Sequence, residues 1–144
     1  MTWAECRRDV PILEQRIGAY PLCYLDNGAT TQLPEPVLRE MELQYHRYEA
    51  NVHRGIHYLS VESTRRMENA REDVRRFLGA ASTDEIIFTS GCTAAINLVA
   101  RSLSFSGLTP ENEILTTQME HHSNFLPWQE ASRRTGAAIR VAPI

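Results

Sequence analysis

Apolar residues recur along the chain in two spacings. Behind Pro34 and Pro36, the positions Val37, Leu38, Met41, Tyr45 and Tyr48 fall at helical spacing, and further on Met67, Ala70, Val74, Phe77 and Leu78 do the same. Such spacing lines one face of a helix. The prolines suit the first turn of the earlier helix, where a missing N–H breaks no bond. Ser60 is the expected N-cap of the later one, since its oxygen can take a free amide of the first turn, and Gly79 is its expected stop. A third helix is expected over 93–103, with Ile96, Val99 and Leu103 inward. A fourth is expected over 124–134, with Phe125, Trp128 and Ala131 on one side and Gly136 behind it.

The second spacing is the short apolar run. Residues 85–89, Glu113–Thr117 and Ala138–Ala142 read as buried strands. Tyr24-Leu25-Asp26 reads as a short strand ended by the turn signal Asp26-Asn27-Gly28. Residues 1–20 form a polar lead-in with one short helix near 10–17, and the polar stretch 51–58, with Gly55, reads as a loop. From residue 85 onward the order is strand, helix, strand, helix, strand. That alternation predicts the α/β class, with a parallel or mixed sheet covered by helices. The chain ends directly behind the last of these strands, so sheet edges and apolar faces are expected to be open, and the domain to be incomplete at its C-terminus.

Composition narrows the partners. The 144 residues are 42% hydrophobic and 23% charged, with a net charge of −3 and no basic block. A soluble globular protein is expected, with no nucleic acid as partner. No apolar run reaches the roughly 18 residues of a membrane span, and the first residues lack the apolar core of a secretory signal. A cytoplasmic protein is expected, with an organelle as the alternative. The three cysteines, Cys6, Cys23 and Cys92, form no CxxC pair, so neither a zinc site nor a disulfide framework is expected. All fifteen basic residues are Arg; the chain contains no Lys.

Three segments could carry chemistry. Phe88-Thr89-Ser90-Gly91-Cys92-Thr93 joins a strand to a helix start through a glycine turn. Free amides and the helix dipole there make an anion site, and phosphate is a common occupant; the same residues also cap helices with no ligand. Glu120-His121-His122-Ser123-Asn124 follows the second strand of the alternating half. Ligands gather at the carboxyl ends of strands in such sheets, and a histidine there can stack, donate or exchange protons. The alternative is a structural cap, and no third residue is spaced to complete a metal site. The loop Ala50-Asn51-Val52-His53-Arg54-Gly55-Ile56-His57 could meet an anionic substrate through Arg54, or be a solvated surface loop.

Taken together, these motifs resemble the class V aminotransferases, and most closely their SufS-type (group II), selenocysteine lyase-like branch of cysteine desulfurases. The matching stretches are Tyr24-Leu25-Asp26-Asn27-Gly28-Ala29-Thr30-Thr31, Asn51-Val52-His53-Arg54-Gly55-Ile56-His57, Glu85-Ile86-Ile87-Phe88-Thr89 with Gly91, Thr93 and 95–100, and Met119-Glu120-His121-His122-Ser123-Asn124 with Pro127-Trp128. They occur in order from about residue 20 to the end. The resemblance implies the large domain of a fold-type-I transferase that uses pyridoxal 5'-phosphate (PLP), mostly parallel in its sheet. Residues 1–20 would be a lead-in and 21–144 the N-terminal part of that PLP-binding domain.

The same resemblance implies roles. Thr93 and the Cys92 backbone would hold the PLP phosphate, and His121 would stack on the pyridine ring and assist proton transfer. Ala29 and Thr30 would lie near the substrate, and Asn51, His53 and Arg54 near the substrate entrance or a homodimer interface. The substrate would be L-cysteine, with alanine as product and the sulfur passed to an enzyme persulfide, then to a sulfur-acceptor protein for iron–sulfur cluster assembly. Two positions depart from the branch: Cys92 stands where Thr is usual, and Ala94 where Glu is common. The Schiff-base Lys and the persulfide Cys of the family would lie beyond residue 144, so the isolated chain is expected to be inactive. The alternatives are another class V enzyme, such as a selenocysteine lyase, and a non-catalytic remnant or protein-interaction module.

Overall fold

In the computed structural model, which describes residues 2–144, the chain divides into two units, Met1–Glu85 and Ile86–Ile144. The first unit opens with helix α1 (Trp3–Arg8), a 3-10 turn at Pro11–Glu14, and a small antiparallel pair, β1 (Arg16–Ile17) with β2 (Tyr20–Pro21). The single helix expected over 10–17 is therefore a 3-10 turn running into a hairpin. Gly18, at φ 62°, turns the chain back on itself, and the Leu22 amide donates to Gln15 at 2.8 Å. Arg7 binds this lead-in together, its guanidinium donating to the carbonyls of Leu13 and Leu22 at 2.9 Å each.

The strand expected at 24–26 is not formed. The Tyr24 hydroxyl lies 3.0 Å from the Asp26 carbonyl and 2.8 Å from that of Thr30, and the Ala29 and Thr30 amides both donate to Asp26. The segment satisfies its polar groups by folding on itself, leaving it no need of a neighbouring strand.

Helix α2 (Glu35–Arg47) begins behind Pro34 as expected, with Pro36 in its first turn. Helix α3 (Tyr58–Leu78) starts earlier than expected: His57 is the N-cap, its Nδ1 accepting from the Ser60 amide at 3.4 Å. Ser60 lies inside the helix, fully buried. Gly79 ends α3 in the left-handed region at φ 71°, its amide donating to Arg75 and Arg76. The solvent side of α3 carries pairs at three- and four-residue spacing, Glu62–Arg65, Glu68–Arg71 and Glu72 with both Arg75 and Arg76. Exposed pairs of this kind are screened by solvent and contribute little each to a helix.

The apolar stripe read along α3 is not its buried face. Phe77 is 89% exposed and Leu78 65%, while the buried residues are Ser60 and Ser63. The polar N-terminal half of α3 is the part fastened down. Ser63 Oγ donates to the Tyr48 carbonyl, and the Arg66 guanidinium sits 4.4 Å from the Tyr48 ring centroid and pairs with Glu40 of α2. A 3-10 turn at Thr83–Glu85 closes the unit.

The second unit begins with residues 86–89, which form no strand, although one was expected over 85–89. Ile86 is buried, at 7% exposure, as its apolar run implies. Burial is legible in one segment; a strand needs a ladder, and the sheet here is made of β3 (Glu113–Thr117) and β4 (Ala138–Ala142). These two are parallel, Glu113 opposite Ala138 through Thr117 opposite Ala142. Helix α4 (Cys92–Ser106) precedes them, and α5 (Leu126–Thr135) crosses from β3 to β4, as parallel pairing requires. The core is small: Ala100 of α4, Ala131 of α5 and Ala137 ahead of β4 are buried, and the short side chains let α4 and α5 approach closely. Gly136 stops α5 at φ 80°. Apolar side chains on the strands stay open, with Leu115 77% and Val141 42% exposed. Among the described residues no helix is long and apolar enough to cross a membrane.

Candidate functional site

The start of α4 is an uncapped helix terminus. Gly91 is its N-cap, with φ 142°, a conformation L side chains rarely adopt, and no side chain caps the first turn. A Cβ at Gly91 would meet nothing within 4 Å, so backbone angle and not crowding calls for glycine here. Thr89 Oγ1 donates to the Gly91 carbonyl at 3.1 Å, which holds the turn. Cys92 and Thr93 are the first two helical residues and both are exposed. Their amides precede the first intrahelical bond, from Ala95 to Gly91. This donor set fits a phosphate, the group by which PLP would be held.

His121 caps the 3-10 turn His122–Asn124 that precedes α5. Its Nδ1 accepts the Ser123 amide at 3.1 Å and lies 2.9 Å from Ser123 Oγ. The ring is exposed and meets His122 edge to face, centroids 6.1 Å apart. Around it runs a chain of side-chain bonds. Glu120 accepts from Thr117 Oγ1 at 3.3 Å and from Asn124 Nδ2 at 2.7 Å; Asn124 Oδ1 accepts from Trp128 Nε1 at 3.0 Å. The chain links the end of β3 to α5 through the loop that carries His121, and the 3-10 turn packs against α4. His122, not His121, lines a cavity of about 240 Å³ with Thr117, Glu120, Phe125 and Val141.

The loop 51–57 belongs to the first unit and is tied to the start of α3. Ser60 Oγ donates to the Asn51 carbonyl at 2.5 Å and accepts the Gly55 amide at 2.9 Å. Thr64 Oγ1 accepts the His53 amide at 2.9 Å. His53 adopts a left-handed backbone, φ 61°, and its Nε2 lies 3.2 Å from Glu68. Asn51 and Arg54 are exposed. Ala29 and Thr30, also exposed, sit in the Tyr24-fastened turn of the same unit. Thus Ala29, Thr30, Asn51, His53 and Arg54 lie in one unit and Cys92, Thr93 and His121 in the other. Among the described residues no group of three His, Cys, Asp or Glu side chains could hold a metal ion.

Sequence reasoning named Ser60 as a cap and Ser123, Asn124 and Trp128 within its motifs, but missed Thr64 and missed the bracing role of all five. Ser60, Thr64, Ser123, Asn124 and Trp128 bond to the loops that bear the candidate residues. Spacing offered a signal: Glu120, Asn124 and Trp128 recur every fourth residue, one turn apart on a helix face.

The profile of the class-V aminotransferase family matches residues 23–144. A cysteine desulfurase of Synechococcus elongatus is 47% identical over 140 residues, 97% of this chain and 22% of that protein. A probable cysteine desulfurase of Halalkalibacterium halodurans is 47% identical over 97% of this chain and 34% of its own length. In three dimensions the chain is similar to a cysteine desulfurase of Thermococcus onnurineus, with TM-score 0.84 and 36% identity over 98% of this chain and 33% of that one. It is also similar to an Escherichia coli cysteine desulfurase, with TM-score 0.72 and 30% identity over 100% of this chain and 35% of that one. The chain spans about a fifth to a third of the length of these curated relatives. Its mixed fold, with parallel β3 and β4, is part of the fold-type-I architecture of PLP-dependent transferases. This chain belongs to the class-V aminotransferase family, and the relatives it resembles are cysteine desulfurases.

Proposed function

We propose that this chain supplies the phosphate-binding and ring-face parts of a PLP-dependent cysteine desulfurase, whose remaining parts include the Lys and the sulfur-accepting Cys. The observation that carries this reading is the uncapped α4 terminus in the same unit as the braced His121 turn, which packs on α4. When bound, PLP supplies an electron sink for the bonds around the substrate's Cα. The amides of Cys92 and Thr93 would hold the phosphate, with the Thr93 hydroxyl as a further donor. Replacement of the usual Thr by Cys92 leaves the backbone donors intact and removes one good side-chain donor. The His121 imidazole would face the pyridine ring and would hold or move a proton. Asn51, His53 and Arg54, on the loop tied down by Ser60, keep the place that the family resemblance implies for them, near the substrate entrance or a homodimer interface.

L-cysteine is the substrate of this reading and alanine the organic product. The sulfur leaves as a persulfide for an acceptor protein and iron–sulfur cluster assembly. The cytoplasm suits that chemistry, because a thiol acceptor must stay reduced, and Cys6, Cys23 and Cys92 are all free thiols. The test is alanine release from L-cysteine by the product of the complete reading frame around these residues. Turnover is expected, and His121→Ala should lower it by about 10²-fold or more, the usual effect of losing a positioned acid–base group. A complete product that carries a Lys, binds PLP and releases no alanine refutes the reading.

A further inference from the structure

His121 has two ring nitrogens, and among the described residues Nδ1 is the one given a hydrogen-bond partner. Nδ1 receives the backbone N–H of Ser123 at 3.1 Å, with Ser123 Oγ at 2.9 Å. A backbone amide can only donate, so its partner nitrogen must carry a lone pair. The hydroxyl is indifferent, since it can donate or accept. The amide therefore selects the tautomer: the proton of the neutral ring sits on Nε2. The residue is exposed, and the ring meets His122 edge to face, while Nδ1 is committed to Ser123.

The mount is braced. The Asn124 amide donates to the His121 carbonyl at 2.8 Å, and the Phe125 amide to that of His122 at 3.1 Å. Glu120 accepts from Thr117 of β3 at 3.3 Å and from Asn124 at 2.7 Å, and Asn124 accepts from Trp128 of α5 at 3.0 Å, which ties the loop to both elements. We propose that Ser123 is the positioning residue of His121, its amide holding Nδ1 as an acceptor so that proton exchange with a ligand runs through Nε2–H. Ser123 touches no ligand in this role; it acts through the imidazole. The inference deepens the proposed function and rests on it only for the statement that the exchange partner is a cofactor or substrate.

The test uses the whole 144-residue chain labelled with nitrogen-15, near pH 8.5, about two units above the ordinary histidine value. Imidazole nitrogen shifts should show His121 with its proton on Nε2, and a coupling across the hydrogen bond should connect the Ser123 amide nitrogen to Nδ1. Ser123→Ala, which keeps the amide, should leave both signatures in place. Ser123→Pro removes the amide and should lower the Nε2–H to Nδ1–H ratio about fivefold, the weight of one neutral hydrogen bond of about 1 kcal/mol. His122→Ala should change neither signature. A dominant Nδ1–H form, or no coupling in the wild-type chain, overturns the proposal, and that measurement decides even where the proline variant loses its ordered spectrum. Absorbance of PLP in the product of the complete reading frame, with and without His121→Ala, separates the two claims. An intact tautomer with no His121-dependent change in PLP absorbance removes the cofactor reading and leaves Ser123 its role. A His121-dependent change without the coupling removes only the role of Ser123.

Discussion

Gly55→Ala places a methyl group where the loop 51–57 crosses the first turn of α3. The added Cβ would lie 2.6 Å from Ser60 Cβ, 2.7 Å from Ser60 Oγ and 3.1 Å from His57 Nε2. Carbon atoms in contact prefer about 3.5–4.0 Å, so the overlap with Ser60 is about 1 Å. Ser60 cannot yield: it is 0% exposed, lies within the helix, and uses its hydroxyl to bind both Asn51 and Gly55. The loop must move instead, which stretches those two bonds. Overpacking costs about 1–3 kcal/mol and each weakened bond up to about 1 kcal/mol, so a loss of about 2–3 kcal/mol is expected, or about 30- to 150-fold in the folding equilibrium. Urea titration followed by circular dichroism should show a lower midpoint at unchanged slope. The decisive control is a double-mutant cycle with Ser60→Gly, which removes both crowding atoms. Contact between the two sites requires the double variant to be at least about 1 kcal/mol more stable than the sum of the singles. Additive costs, or a single-variant cost below about 0.5 kcal/mol, would refute the steric argument.

Gly79→Ala should cost about 1 kcal/mol by thermal melting, because φ 71° is left-handed and no atom lies within 4 Å to add a clash; Gly79→Asn should cost less. Asn124→Ala should cost about 2 kcal/mol by denaturant titration, one bond to Glu120 and one to Trp128 being lost, whereas Asn124→Asp keeps the acceptor for Trp128 and sets a charge beside Glu120. Hydrogen bonds from Arg75 and then Arg76 lower the Glu72 carboxyl from its ordinary 4.5 to about 2. Its contribution to α3 is therefore complete above the ordinary carboxylate range and fades as pH falls from there through about 2. Helical circular dichroism should drop over that window, slightly and less so in high salt because the group is exposed, and Glu72→Gln should flatten its share of the drop. With no Lys in its sequence, the 144-residue chain should release no alanine from cysteine above the rate of free PLP; catalytic release would show that a primary amine other than a lysine serves.

Periodicity along the chain was enough to determine α2, α4 and α5 and the strands Glu113–Thr117 and Ala138–Ala142, while it left the sheet parallel or mixed; the fold pairs the two strands in parallel. Glycine marked the ends of α3 and α5, since left-handed stops at Gly79 and Gly136 follow from local backbone freedom. The candidate segments at Gly91–Thr93 and at His121 were legible for the same reason, being turns written in their own residues. Tertiary structure alone decided what depends on a second segment. Residues 85–89 have the apolar content of a strand and form none, and Tyr24 folds its own loop instead of joining a sheet. The stripe on α3 identifies a face but not a cover for it, so Phe77 stays exposed while Ser60, polar and unremarked by its hydropathy, is fully buried. The same limit hid Ser123: a sequence shows that a histidine can titrate, but which nitrogen keeps the proton is set by the donor that the folded backbone brings to the other.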